Sequence, residues 1–195
     1  MMGRNDREAA QAPSAPGEPG AWVFIVGDMA IFTALFAAIL YYRGEHPDMF
    51  AAGQATLSQE LGTLNTVILL LGSILVVLAT RASAAARNDA AARLVAAGAS
   101  CGLLFAAVKG LEYGRVLNEG HSMHTNDFFM LFFVVTGAHL LHVLLGTTAL
   151  AAMRRRVAAG LPGIRDRTIF ETSACYWHLV DLLWLIIFPL FYLVN

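Results

Sequence analysis

Apolar positions in this chain come in long blocks. Five of them, at roughly 21–42, 61–80, 91–115, 127–151 and 170–194, are each long enough to cross a bilayer as a helix, which takes about 20 residues. Polar, turn-forming stretches separate them: RGEHPD, RNDA, NEGHSMHTND and RRRVAAGLPGIRDR. Ahead of the first block, residues 1–19 are polar and rich in Ala and Pro, and their pattern is that of a mobile tail. Their charged start is not followed by a short apolar core and a cleavage site, so they do not read as a signal peptide. The pattern predicts an all-α, polytopic membrane protein, with a bundle of five transmembrane helices filling residues 20–195.

Composition agrees. Of 195 residues, 57% are hydrophobic and 14% charged, against roughly 25% charged in soluble domains. A formal net charge of −1 gives no reason to expect a nucleic acid partner. The arginines are unevenly placed. Taking alternate flanks together, ten lie on the side of the tail and two on the other. Positive residues stay inside, so the N-terminus is expected in the cytoplasm and the C-terminus outside. Cys101 and Cys175 both fall in apolar runs and read as small buried hydrophobes.

A polar group inside hydrocarbon normally turns inward to a partner or a water-filled cavity. Asp28 lies in the first span, Asn65 in the second, Lys109 and Glu112 in the third, His139 and His142 in the fourth, and Glu171, His178 and Asp181 in the fifth. Lys109/Glu112, His139/His142 and His178/Asp181 are each three residues apart, so each pair shares a helix face. Depth along the helices sorts them into two layers. His139, His142, His178 and Asp181 form a central layer, with Asp28 slightly toward the cytoplasm. Lys109 and Glu112 form an outer layer, capped by Asn65. The central layer has three readings: a metal site or a haem held by two histidines, a proton relay, or polar contacts that fix how the helices pack.

Other features weigh less. Gly137 and Gly146 permit close helix approach. His121 and His124 in HSMH are expected to face water. Arg154–Arg156 can contact anionic lipid, although topology alone accounts for such a cluster.

Particular stretches then carry a resemblance. GAWVFIVGDMAIF, LGTLNTVILLLGS, FAAVKGLEYGR, NDFFMLFFVVTGAHLLHVLLG and YWHLVDLLWLIIFPLFYL occur in this order, and the chain resembles subunit III of the haem-copper oxidases. The resemblance implies a multi-pass subunit of the bacterial inner membrane without haem or metal of its own. It would sit among membrane lipids against a catalytic subunit holding haem and copper or non-haem iron. Larger relatives have seven spans and a lipid-filled cleft, and this chain is expected to lack the first two. Among shorter forms, the stretch after the first span looks nearest to subunit-III-like proteins associated with nitric oxide reductase. Asp28 stands where the seven-span relatives usually have Glu, so a role in sustaining proton uptake carries over only weakly.

The resemblance favours packing for the other buried polar residues, Glu171 included. It leads us to expect that His178 and Asp181 hydrogen-bond to the histidines of the fourth span. A non-catalytic subunit that supports assembly and sustained turnover is the leading function. The alternative is a stand-alone membrane metalloprotein or proton-coupled transporter using the central layer.

Overall fold

The computed structural model describes residues 19–161 and 163–193. The expected tail therefore lies outside the described residues, except for Pro19, which opens the first helix. Six helices follow in order: α1 (Pro19–Glu45), α2 (Pro47–Thr56), α3 (Gln59–Ala84), α4 (Asn88–Asn118), α5 (Asp127–Ala158) and α6 (Ile164–Tyr192). Five of the six are long and apolar enough to span a membrane. They are the five expected spans, now seen to run past their apolar blocks. At about 1.5 Å per residue, α4 and α5 reach beyond a hydrocarbon core of about 30 Å, so their charged ends lie at the interface.

Helix α2 was not foreseen. Its 10 residues are too few to span, and PDMFAAGQAT reads as part of a connecting loop. Pro47 starts it in the position where a missing N–H costs nothing. Phe50 and Gly53 then fasten it down: Phe50 meets the Phe128 ring edge-on at 5.3 Å between centroids, and Gly53 lies so close to the same ring that a Cβ there would collide with it.

Helices α3 to α6 form a closed four-helix ring, each packing extensively on the next and α6 returning to α3. α1 stands outside it, touching α2, α5 and α6 more lightly. Close approach within the ring depends on small residues that sequence reasoning passed over. On Gly72, Gly98 and Gly102 a Cβ would press into the neighbouring helix; at Gly102 it would collide with Thr147 Oγ1. Gly98 and Gly102 form a G-x-x-x-G stripe, which lets helix backbones approach. Of the two glycines expected to do this, Gly146 packs against Trp177, whereas Gly137 has only the distant Tyr113 hydroxyl nearby.

Three helices end alike. After α3, α4 and α5 the chain turns through a positive-φ residue, and the next N–H reaches back to a carbonyl in the last turn: Arg87 to Ala82, His121 to Val116, Leu161 to Arg156. Gly120 and Gly160 fill that position after α4 and α5, but Ala86 does so after α3, at φ 55°. A left-handed alanine is disfavoured by about 1 kcal/mol. Ala86→Gly is therefore expected to raise the unfolding free energy by up to about that amount, read as a later midpoint in a denaturant titration in detergent. No gain would mean that the loop holds the turn without strain.

The outside of the bundle is apolar. Val67, Leu71 and Ile74 on α3, Leu103 and Leu104 on α4 and Leu141 on α5 are exposed. Lipid tails meet such faces without cost, whereas a water-soluble monomer rarely carries so much contiguous apolar surface.

Candidate functional site

Every polar cluster in the interior joins two helices. The outer one is the most complete. Lys109 and Glu112 on α4 are buried, and Lys109 Nζ donates to Glu112 Oε2 at 2.7 Å. Tyr192, at the end of α6, donates its hydroxyl to Glu112 Oε1 at 2.6 Å and accepts from Lys109 Nζ at 2.9 Å. The three side chains thus close a triangle in which both carboxylate oxygens are used and the net charge is zero. Aromatic rings surround the ammonium. Its nitrogen lies 4.6 Å from the centre of Phe132, 5.3 Å from Tyr113 and 5.3 Å from Trp184. Ring faces attract a desolvated cation, which compensates for the water it has lost.

The surrounding shell is bonded as well. Thr136 donates to the Phe132 carbonyl, so the Tyr113 hydroxyl, 2.7 Å away, donates to Thr136. Trp184 Nε1 donates to Thr66 on α3 at 2.9 Å. Asn65 was expected to cap this layer. It is fully buried, but neither end of its amide has a hydrogen-bond partner among the described residues. Tyr192 fills the role instead. A tyrosine at the last turn of an apolar helix is easily taken for an interfacial anchor, and no spacing rule links it to a residue 80 positions earlier.

The central layer divides into separate contacts. His142 Nε2 lies 2.8 Å from Asp28 Oδ1, joining α5 to α1. Its Nδ1 lies 2.6 Å from the Ala138 carbonyl. A carbonyl only accepts, so Nδ1 carries a hydrogen. Asp28 and His142 then share one further proton, and the pair is neutral whichever of them holds it.

His178 corrects the expectation drawn for the fifth span. It does not bond to the fourth span's histidines. Its Nδ1 lies 2.6 Å from Ser73 Oγ on α3, and Asp181 lies beside the same serine. Helix α6 has α3 on one flank and α5 on the other, and the His178/Asp181 face turns toward α3. Exchanging His178 for leucine should lower bundle stability by about 1–2 kcal/mol through the lost α3–α6 bond, read by equilibrium unfolding in detergent micelles. An unchanged midpoint would place the Ser73 contact outside the stabilising set.

His139 bonds to nothing: neither ring nitrogen has a partner among the described residues. It packs as an aromatic, 5.2 Å from Trp184 and 5.5 Å from Phe105 between centroids. Glu171 is a second correction. It is exposed at the first turns of α6, near Arg167, because α6 begins at Ile164 and places Glu171 close to the helix end. Among the described residues no three His, Cys, Asp or Glu side chains converge as a metal-ligand group would.

One contact had no counterpart in the sequence reading. Arg43, counted there only toward topology, donates from Nη2 to the Leu190 carbonyl at 2.9 Å, and Gln54 Nε2 reaches the same oxygen at 3.5 Å. The carbonyls of a helix's last turn lack intrahelical partners and carry partial negative charge. The end of α1 and helix α2 together thus clasp the end of α6. In the α4–α5 loop, His121 stacks on Phe129 at 4.4 Å.

The sequence model of one family, cytochrome c oxidase subunit III, matches residues 17–195. A cytochrome c oxidase subunit 3 of Synechocystis sp. is 34% identical over 181 residues, covering 90% of this chain and 74% of that protein. Its namesake from Thermostichus vulcanus is 30% identical over 177 residues, covering 90% and 86%. A heme-copper oxidase subunit I+III of Aeropyrum pernix is 30% identical over 184 residues; these are 89% of this chain and only 22% of that longer protein.

Proposed function

The chain belongs to the cytochrome c oxidase subunit III family, and from that premise we propose that it is a non-catalytic membrane subunit of a respiratory haem-copper oxidase. The family match over almost the whole chain carries this reading. Its partner is a catalytic subunit holding haem and copper or iron. The Aeropyrum pernix relative, whose name joins subunits I and III in one protein, supports that pairing. The relatives' names favour oxygen, rather than nitric oxide, as the substrate of the complex.

The interior supports a packing role. Asp28 is engaged with His142, Glu112 with Lys109 and Tyr192, and His178 with Ser73. Each contact ties one helix to another, which supports the reading that the imidazoles and carboxylates serve the bundle. The protein lies in the bacterial inner membrane with its N-terminus cytoplasmic, its apolar outer faces against lipid and the partner.

Deleting the chain while leaving the catalytic subunit intact tests the role. We expect fewer assembled oxidase complexes per unit of membrane, and complexes that start at a normal rate per haem but lose activity sooner during continuous turnover. Unchanged complex abundance and unchanged lifetime would refute it.

A further inference from the structure

One end of the bundle carries cations that no acid among the described residues pairs with. Arg93, in the second turn of α4, and Arg154 and Arg155, near the end of α5, line a groove of about 490 Å³ with Asp89, Ala92 and Ala158. Arg156, next in sequence, is paired with Asp166. Arg93, Arg154 and Arg155 have no carboxylate within ion-pair distance among the described residues. Asp89 is the one acid in the lining, which leaves the groove two positive charges in excess. Topology requires arginines at this end of the helices, but it does not require three of them, drawn from two helices, to face one groove.

The surface below the groove is apolar. On α4 the same face continues at helical spacing through Ser100 and Leu103, and on α5 through Thr148, Leu144 and Leu141. Leu103 is 59% exposed and Leu141 57%. Ser100 and Thr148 fold their hydroxyls onto carbonyls of their own helices, Ala96 and Leu144, at 2.9 and 2.7 Å. Neither therefore offers a donor to the outside. The arginines sit within about two turns of their helix ends, at headgroup depth.

We propose that this groove seats the phosphate headgroup of an anionic phospholipid, with the acyl chains lying along the apolar seam between α4 and α5. Guanidinium groups bind phosphate oxygens through paired N–H donors, and basic pockets between membrane helices on the cytoplasmic side suit anionic headgroups. The site does not depend on which catalytic subunit the chain joins.

Native mass spectrometry of the full chain, with phosphatidylglycerol or phosphatidylcholine of matched acyl chains, tests the site. Phosphatidylglycerol is expected to bind roughly tenfold more tightly, and Arg93→Gln/Arg155→Gln to remove about that factor. Arg81→Gln/Arg165→Gln takes the same charge from the same end, outside the groove, and should leave the preference intact. Equal losses in the two double variants, or equal binding of the two lipids, would overturn the proposal. So would competition by millimolar inorganic phosphate, which would mark a free-anion site. A groove variant that sheds a co-purifying protein subunit while keeping its lipid would show a docking surface for an acidic partner instead. A headgroup photolabel on phosphatidylglycerol, used with the unaltered chain, needs no variant to fold. Labelling around 89–93 and 154–158 supports the site, and labelling confined elsewhere overturns it.

Discussion

Replacing Lys109 with methionine is expected to destabilise the bundle by about 3–5 kcal/mol, the usual cost of stranding one member of a buried ion pair. The reason lies in the closed triangle. Glu112 keeps its bond from Tyr192 but loses the ammonium that neutralises it, and the rings of Phe132, Tyr113 and Trp184 present their electron-rich faces to a site without a cation. Because Tyr192 belongs to α6, the loss should also loosen the end of α6 from α4. Removing both charges, in Lys109→Met/Glu112→Met, should recover most of the stability, since apolar side chains of similar volume often replace a buried pair at little cost. Equilibrium unfolding in detergent, followed by tryptophan fluorescence, measures both variants. If the single variant were as stable as the unaltered chain, or the double variant worse than the single, the triangle would not be a balanced charge pair.

The second large effect is expected at Asp28. Helix α1 stands outside the ring and has few holds on it. They include the Asp28–His142 pair, the edge of Phe32 on the His142 ring at 5.4 Å, and the Arg43 clasp on Leu190. Asp28→Leu removes the first and leaves His142 Nε2 without its partner in an apolar setting, a loss of about 3 kcal/mol. The pair is a polar hold on α1 at mid-depth, so α1 should separate there while α3 to α6 stay together. Spin labels at the exposed positions Ile31 and Leu141 would show it. One narrow distance distribution in the unaltered chain should become broad in Asp28→Leu. A distribution that stays narrow would mean that the clasp and the Phe32 contact hold α1 unaided.

The five spans were legible because hydrocarbon imposes a length and a composition that few other contexts demand. The Lys109/Glu112 pair was legible for a different reason: three residues of helix bring the two together whatever surrounds them. The partners across helices were not legible. Helical spacing tells which residues share a face, but not which neighbour that face meets. His178 and Asp181 could be placed on one face of α6 from sequence, yet whether Ser73 or His142 lay opposite depended on the order of helices around the ring. The same gap hid Tyr192 and Arg43, whose contacts are 80 and 147 residues away along the chain. Glu171 was misplaced because the apolar block gives no sharp start to α6. Helix α2 was missed because its 10 residues are too few to establish a period.

The central claim is that this chain works as a packed subunit beside a catalytic one. Gentle detergent extraction through a tag on the N-terminal segment, followed by an optical spectrum and protein identification, tests it most directly. The account predicts haem absorption bands together with a larger multi-span subunit in the same fraction, and bands that leave with that subunit when harsher detergent strips it away. A chain that purifies alone with stoichiometric haem or metal would contradict it, and would return His139, His142, His178 and Asp181 to the status of a site.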